Sequence, residues 1–211
     1  MKKFLAFFIC GWIAGAAFSQ DSVKTHRFVF RAGAATGLNF YEPASGSDLV
    51  KVHSYKKGAL GTGLGAELAY KLTKFMDLDV HYYFYVYRNK VDFNALTISI
   101  LQNFSVKQQN QMLAVSADFK LYQKKKSKFS IGAGPGFTIN REQYIEEYIP
   151  LGSPTVVGEK KSIKFIAPVY AGLETYIKDY IVLGTRLQTF IWGDEKPFRT
   201  LNLFSYLGMR F

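Results

Sequence analysis

The stretch that decides the fold is "LGTGLGAELAYKL", residues 60–72. Every second residue, from Leu60 through Thr62, Leu64, Ala66, Leu68 and Tyr70 to Leu72, is uncharged and mostly bulky. Between them stand Gly61, Gly63, Gly65, Glu67, Ala69 and Lys71. A period of two is the signature of a β-strand with two different faces. The glycines loosely suggest a phosphate loop, but such a loop closes a strand and opens a helix. Here the alternation runs straight through them.

Seven further segments repeat the pattern. The first places Phe28, Phe30, Ala32, Ala34, Thr36 and Leu38 on one face, and the stretch above is the second. The third runs from Met76 through Leu78, Val80, Tyr82 and Phe84 to Val86, and the fourth from Leu113 to Leu121. Phe129, Ile131, Ala133, Pro135, Phe137 and Ile139 make the fifth, where Pro135 predicts a bulge or kink. The sixth spans Ile163 to Ile177, the seventh Ile181 to Ile191, and the closing "LNLFSYLGMRF", residues 201–211, is the eighth. Over roughly fifty alternating positions no charge occurs, although 20% of the chain is charged.

The opposite face carries Arg31, Glu67, Lys71, Asp77, Asp79, His81, Asp118, Lys120, Lys164, Glu174, Arg186 and Arg210, interleaved with glycines such as Gly132, Gly134 and Gly136. An eight-stranded barrel is only just wide enough inside for ordinary side chains, so the Leu-, Ile- and Phe-rich face would crowd its interior. Glycine rows on a solvated face would weaken the strands to no purpose. Turned inward, the glycines make room for the long charged side chains, which neutralise one another. The apolar face then meets lipid, where an Arg or Lys at the midplane costs about 2–4 kcal/mol.

The connections, near residues 41–57, 73–75, 89–111, 123–128, 141–161, 178–179 and 193–199, run long and short in turn. Transmembrane barrels have short periplasmic turns and longer outer loops, so the amino terminus lies on the periplasmic side. Phe40, Tyr41, Phe75, Tyr122, Tyr176, Tyr180, Trp192 and Phe211 fall near strand ends, where aromatic girdles are expected. Before the barrel stands "MKKFLAFFICGWIAGAAFSQ", residues 1–20: two lysines, an apolar run from Phe4 to Phe18 and small residues at Ala17 and Ser19. This is the layout of a secretory signal peptide, residues 1–19, cleaved after Ser19. Cys10 leaves with it, so residues 20–211 contain no cysteine for disulfide, metal or redox chemistry. The formal charge of +11, or +9 without Lys2 and Lys3, points in an exported protein to anionic lipid or surface polymers rather than nucleic acid. The fold class is therefore all-β: an eight-stranded antiparallel up-and-down transmembrane β-barrel over residues 20–211.

In signal peptide, strand count, loop alternation and terminal aromatic, the chain resembles the small outer-membrane β-barrel domains of the OmpA/OmpX-like and PorT-like type. The resemblance spans nearly all of residues 20–211 and implies insertion into the outer membrane of a Gram-negative cell by the barrel-assembly machinery. It carries over no catalytic residue. Leu207, Met209 and Phe211 resemble the assembly machinery's recognition signal, although Tyr206 stands where many such signals carry glycine. The PorT-like side of the resemblance implies an alternative role as an accessory component of a secretion machine.

Chemistry has few candidates. His81 has Asp79 two residues away on the same face, a pair that fits a lumen charge network. As a general base in a lipid-modifying enzyme it would need a serine within reach. Neither His26 nor His53 has a local motif that supplies one. The expected network is Arg31, Glu67, Asp77, Asp79, His81, Asp118, Lys120, Glu174, Arg186 and Arg210, which plugs the lumen and disfavours a small-solute pore. No metal or cofactor site is expected. Partners are outer-membrane lipids and, for a monomer, a protein at the outer loops or at the basic periplasmic turns, which hold Lys71, Lys74, Lys124, Lys125, Lys126, Lys128 and Lys178. The segment "FNALTISILQNFSV", residues 93–106, is too apolar for a purely solvated loop. It either extends the third and fourth strands into an exposed edge or caps the barrel. Phe93, Leu96, Ile98, Ile100, Tyr144 and Tyr148 are its candidate partner contacts and those of the "YIEEYIP" loop, residues 144–150. The expected function is binding or envelope structure through the outer loops.

Overall fold

In the computed structural model, the structure describes residues 27–40, 50–55, 59–95, 98–124, 126–147, 156–177, 180–192 and 198–211. The residues of the signal peptide lie outside that set. The strands are β1 (Phe28–Asn39), β2 (Val50–Tyr55), β3 (Ala59–Lys71), β4 (Met76–Ala95), β5 (Ile98–Lys124), β6 (Ser127–Ala133), β7 (Gly136–Glu147), β8 (Val156–Ile177), β9 (Ile181–Trp192) and β10 (Phe198–Arg210). All pairings are antiparallel, and β1 joins β3 on one side and β10 on the other. The ring is closed through β4, β5, β6 with β7, β8 and β9.

β6 and β7 form one stave of the eight. Ala117 faces Ala133 and Ala114 faces Gly136, so the register does not shift across Gly134 and Pro135. The bulge or kink expected at Pro135 is thus absent from the ladder. Proline withholds one donor, but Val115 N still donates to Pro135 O at 3.0 Å and Gly134 N to Pro168 O at 3.3 Å. The irregularity sits instead on β5, between Lys120 and Tyr122, where the register moves by one residue.

The apolar residues face outward. Leu60, Leu64, Ile163 and Phe165 are each about two-thirds exposed, whereas Arg31, Asp79, Asp118 and Arg186 have no access to solvent. A closed sheet with this inversion is stable in hydrocarbon, because every backbone group in the wall is paired and the charges are inside. β1, β3, β9 and β10 have 12 or 13 residues each, enough to cross tilted. Phe40, Phe75, Tyr122, Tyr180 and Phe211 stand exposed near the rims. Tyr176 does not join them: it faces the lumen mouth, its hydroxyl 3.2 Å from Glu174 Oε2.

Several of the glycines serve a purpose beyond the one expected. Gly61, Gly63 and Gly65 on β3 sit directly across from Tyr87, Tyr85 and Tyr83 on β4, and a Cβ on any of the three would overlap the facing ring. Gly132 and Tyr170, Gly184 and Tyr206, and Gly158 and Tyr144 repeat the arrangement. Gly172, across from Arg186, and Gly208, across from Arg31, make room for a charged chain in the same way. Cross-strand neighbours are the closest side-chain pairs in a sheet, so an inward ring needs a partner without a side chain. Gly65→Val should cost about 1–3 kcal/mol through overpacking. In urea unfolding, Gly65→Val/Tyr83→Ala should lose less than the two single variants combined; strict additivity would mean that this pair is not in contact.

Candidate functional site

The lumen fills in tiers. At the end that holds the β3–β4 turn, Asp77, at the start of β4, pairs with Lys120 at 2.5 Å and with Lys128 at 3.1 Å. Lys128 also reaches Asp118 at 2.7 Å. Lys128 was expected in the basic turn, yet it is buried. Alternation along β6 puts Lys128, Ser130 and Gly132 on the inner face, and β6 already begins at Ser127.

Above this lies the central cluster. Arg31 on β1 contacts Asp79 Oδ2 at 3.2 Å, Glu67 Oε2 at 3.4 Å and Glu174 Oε1 at 2.8 Å. Arg186 on β9 contacts the same Glu67 Oε2 at 3.0 Å and Asp79 Oδ2 at 2.8 Å. The two guanidinium groups also lie against aromatic faces: Arg186 is 4.4 Å from the Tyr170 ring centre, and Arg31 is 5.7 Å from that of Tyr206. Tyr206 in turn donates to Glu174 at 3.0 Å. The cluster ties β1, β3, β4, β8 and β9 to one another. Toward the outer end Tyr83, Tyr85, Tyr87, Phe190 and Phe204 pack ring against ring. Polar pairs close the top, with Tyr87 donating to Asn202 at 2.8 Å and Gln108 to Asn140 at 3.2 Å. Arg210 stands lower, 4.7 Å from the Tyr176 ring.

His81 has different partners from those its spacing suggests. Asp79 is taken by the two arginines, while His81 Nδ1 lies 3.2 Å from Glu67 Oε1 and Nε2 hydrogen-bonds the hydroxyl of Ser116. Ser116 sits on β5, 35 residues away. No local motif reveals it; only the alternation on β5, which turns Ser116 inward, could have. Serine, histidine and a carboxylate in this order form the constellation of an acyl-transfer site. Among the described residues, however, nothing leads a substrate to it: His81 and Ser116 are 1% exposed, and Ser116 Oγ is held 3.0 Å from Tyr170 OH. Donor atoms of Glu67, Asp79 and His81 also lie within 4.8 Å of one another. Arg31 and Arg186 already neutralise both carboxylates, so a metal cation there would face two fixed positive charges. The constellation joins β3, β4 and β5 across the lumen.

Of the expected partner contacts, Leu96 and Tyr148 lie outside the described residues. Phe93, Ile98 and Ile100 belong to strands whose backbone alone is described there. Tyr144 is half-buried, with its ring over Gly158 of β8. Residues 93–106 fall mostly within the strands: β4 and β5 continue as a paired hairpin to Ala95 and Ile98, with β2 along the free side of β4. β7 meets β5 only from Gln108 downward. Among the described residues, Ile98 to Val106 of β5 therefore pairs with a strand on one side alone, while Lys107 N donates to Gln143 Oε1 of β7 at 3.2 Å.

At the other end of the chain, the seam between first and last strands is complete. Phe28 N donates to Phe211 O at 2.9 Å and Phe211 N to Phe28 O at 3.0 Å, with the two rings 5.9 Å apart. The closed antiparallel wall is similar in fold to solved structures. One is the outer membrane protein OprG from Pseudomonas aeruginosa, at 12% identity over 90% of this chain and 99% of that one, with a TM-score of 0.55. The chain has the fold of the small outer-membrane β-barrels. Another such structure is Ail, the attachment invasion locus protein of Yersinia pestis, in complex with the heparin analogue sucrose octasulfate. It shows 13% identity over 89% of this chain and 100% of that one, with a TM-score of 0.50. No protein-family model and no curated protein matches the sequence. In this barrel, Arg186→Met should cost about 3–5 kcal/mol by leaving Glu67 and Asp79 short of a counter-charge. An unchanged urea midpoint of the refolded barrel would show that the cluster is not what holds the lumen.

Proposed function

We propose that this chain is an exported, monomeric outer-membrane protein of a Gram-negative cell that acts through its outer surface, as a binding or envelope-structural barrel. The observation that carries this reading is the β4–β5 hairpin, which outruns the barrel wall and leaves the outer part of β5 with one strand neighbour. An unpaired edge presents backbone donors and acceptors in register, and an extended segment of another protein adds to it as a further strand. The filled lumen supports the same conclusion, because it leaves the ends of the barrel as the accessible polar surfaces. Residues 1–19 serve as the cleaved export signal.

The assembly machinery is proposed to read Leu207, Met209 and Phe211. Leu207 and Met209 face lipid and Phe211 completes the seam. Two variants in one strain test both proposals. Replacing residues 91–104 by an Asn-Gly turn keeps the Lys90–Ser105 register; it should leave membrane levels intact and abolish crosslinks from β5 to other envelope components. Deleting Phe211 should lower membrane levels instead. Crosslinks that persist without the hairpin would contradict the binding surface, and normal levels without Phe211 would contradict the signal.

A further inference from the structure

The outer part of β5, from Ile98 to Val106, reads "ISILQNFSV". It holds no charged residue and no proline, two of the devices that usually blunt an unpaired strand edge. The direction of its backbone groups follows from the rest of the strand. Lys107 N donates toward β7, and Val115 N donates to Pro135 O at 3.0 Å, whereas Lys120 N donates to Phe75 O at 2.8 Å beside β4. Odd-numbered residues of β5 therefore turn their backbone groups away from β4. Where the register shifts, Phe93 faces Gln102 and Ala95 faces Ile98, so β5 gains an even number of residues on β4 and keeps its phase. Among the described residues, Ser99, Leu101, Asn103 and Ser105 thus carry the N–H and C=O groups of the free edge.

The same stretch is close to symmetric about Gln102. In an antiparallel ladder of two such strands centred there, Ile98 stands across from Val106, Ser99 from Ser105, Ile100 from Phe104, Leu101 from Asn103 and Gln102 from itself. This register sets odd residues against odd residues, the condition for each such pair to exchange two backbone hydrogen bonds, about eight in all. A register one residue away would set free-edge groups against groups already turned to β4. No like charges meet in the pairing, because the strand has none.

Strand direction decides where the second strand comes from. β5 runs from the outer hairpin toward the β3–β4 turn, and it does so in every copy of one membrane, so two β5 edges in the same bilayer lie parallel. Antiparallel pairing needs a copy turned over, as in a facing membrane. From Gln108, where β7 joins β5, to Gln102 is about 20 Å of extended chain, so two walls joined at Gln102 stand roughly 40 Å apart.

We propose that the free edge of β5 pairs with β5 of a second copy in a facing membrane, with Gln102 on the two-fold axis. Each barrel stays monomeric in its own bilayer, and the pair joins two outer membranes. The proposal rests on the free edge that carries the proposed binding function, and it names the occupant.

The test uses the full barrel in phosphatidylcholine liposomes labelled with donor or acceptor dyes, mixed and read by energy transfer between vesicles. Vesicles bearing the unchanged protein should cluster. Asn103→Pro removes a free-edge donor and none that β4 uses, and it should raise the protein density needed for clustering about tenfold. Gln102→Lys and Gln102→Glu each set like charges face to face on the axis, so neither should cluster with itself, while vesicles of one should cluster with vesicles of the other. Recovery in that mixture also shows that both variants are folded. Self-clustering of either charged variant as strong as the mixture's, or no recovery in the mixture by barrels that keep the gel mobility of the folded state, would overturn the proposal. So would clustering that survives replacement of residues 91–104 by the Asn-Gly turn. Absence of clustering by the unchanged protein would overturn the second copy as occupant and leave the free edge standing, because the hairpin-dependent crosslinks test that edge separately.

Discussion

Arg31 and Arg186 sit in the middle of a barrel with no contact with water, and the rest of the interior is arranged around keeping those two charges there. Isolated, each would cost several kcal/mol in desolvation; here Glu67, Asp79 and Glu174 surround them and Tyr170 and Tyr206 cover their faces. Because the five ionic partners belong to five different strands, β1, β3, β4, β8 and β9, satisfying the charges also fixes how the wall closes. The result is specificity more than stability, since buried ion pairs only roughly repay their desolvation. A filled interior follows directly, which is why the proposed function lies at the ends of the barrel.

The wall obeys a second constraint. Hydrocarbon outside demands that large apolar side chains point outward, so bulk inside must come from the inner face alone, and an eight-stranded ring has little space for it. Pairing most inward tyrosines with a glycine across the ladder resolves this, as with Gly61, Gly63 and Gly65 against the three tyrosines of β4. The same pairing pins register, because a slip of one residue would set ring against ring and turn apolar side chains inward.

Much of this was legible in the alternation itself: strand number, inversion of faces and closure follow from period and charge, and Arg31, Glu67, Asp79, Asp118 and Arg186 do point inward. What alternation cannot convey is which residues meet across strands far apart in sequence. Ser116 beside His81 and Lys128 beneath Asp118 arise from ring closure, and Lys128 was masked further by the lysines of the adjoining turn. The glycines were legible as space but not as space for tyrosine, which appears only once β3 and β4 are in register. The reach of β4 and β5 beyond the membrane was signalled by the apolar character of residues 93–106, and its pairing with β2 was not.

The central claim is that side chains seal the lumen and leave the protein to work from its ends. Single-channel recording of the purified barrel in a planar bilayer tests it most directly. The bilayer should show no stable unitary conductance at moderate voltage. Reproducible open steps of constant size would contradict the claim, most plainly if they persisted unchanged when Arg31 and Arg186 were substituted.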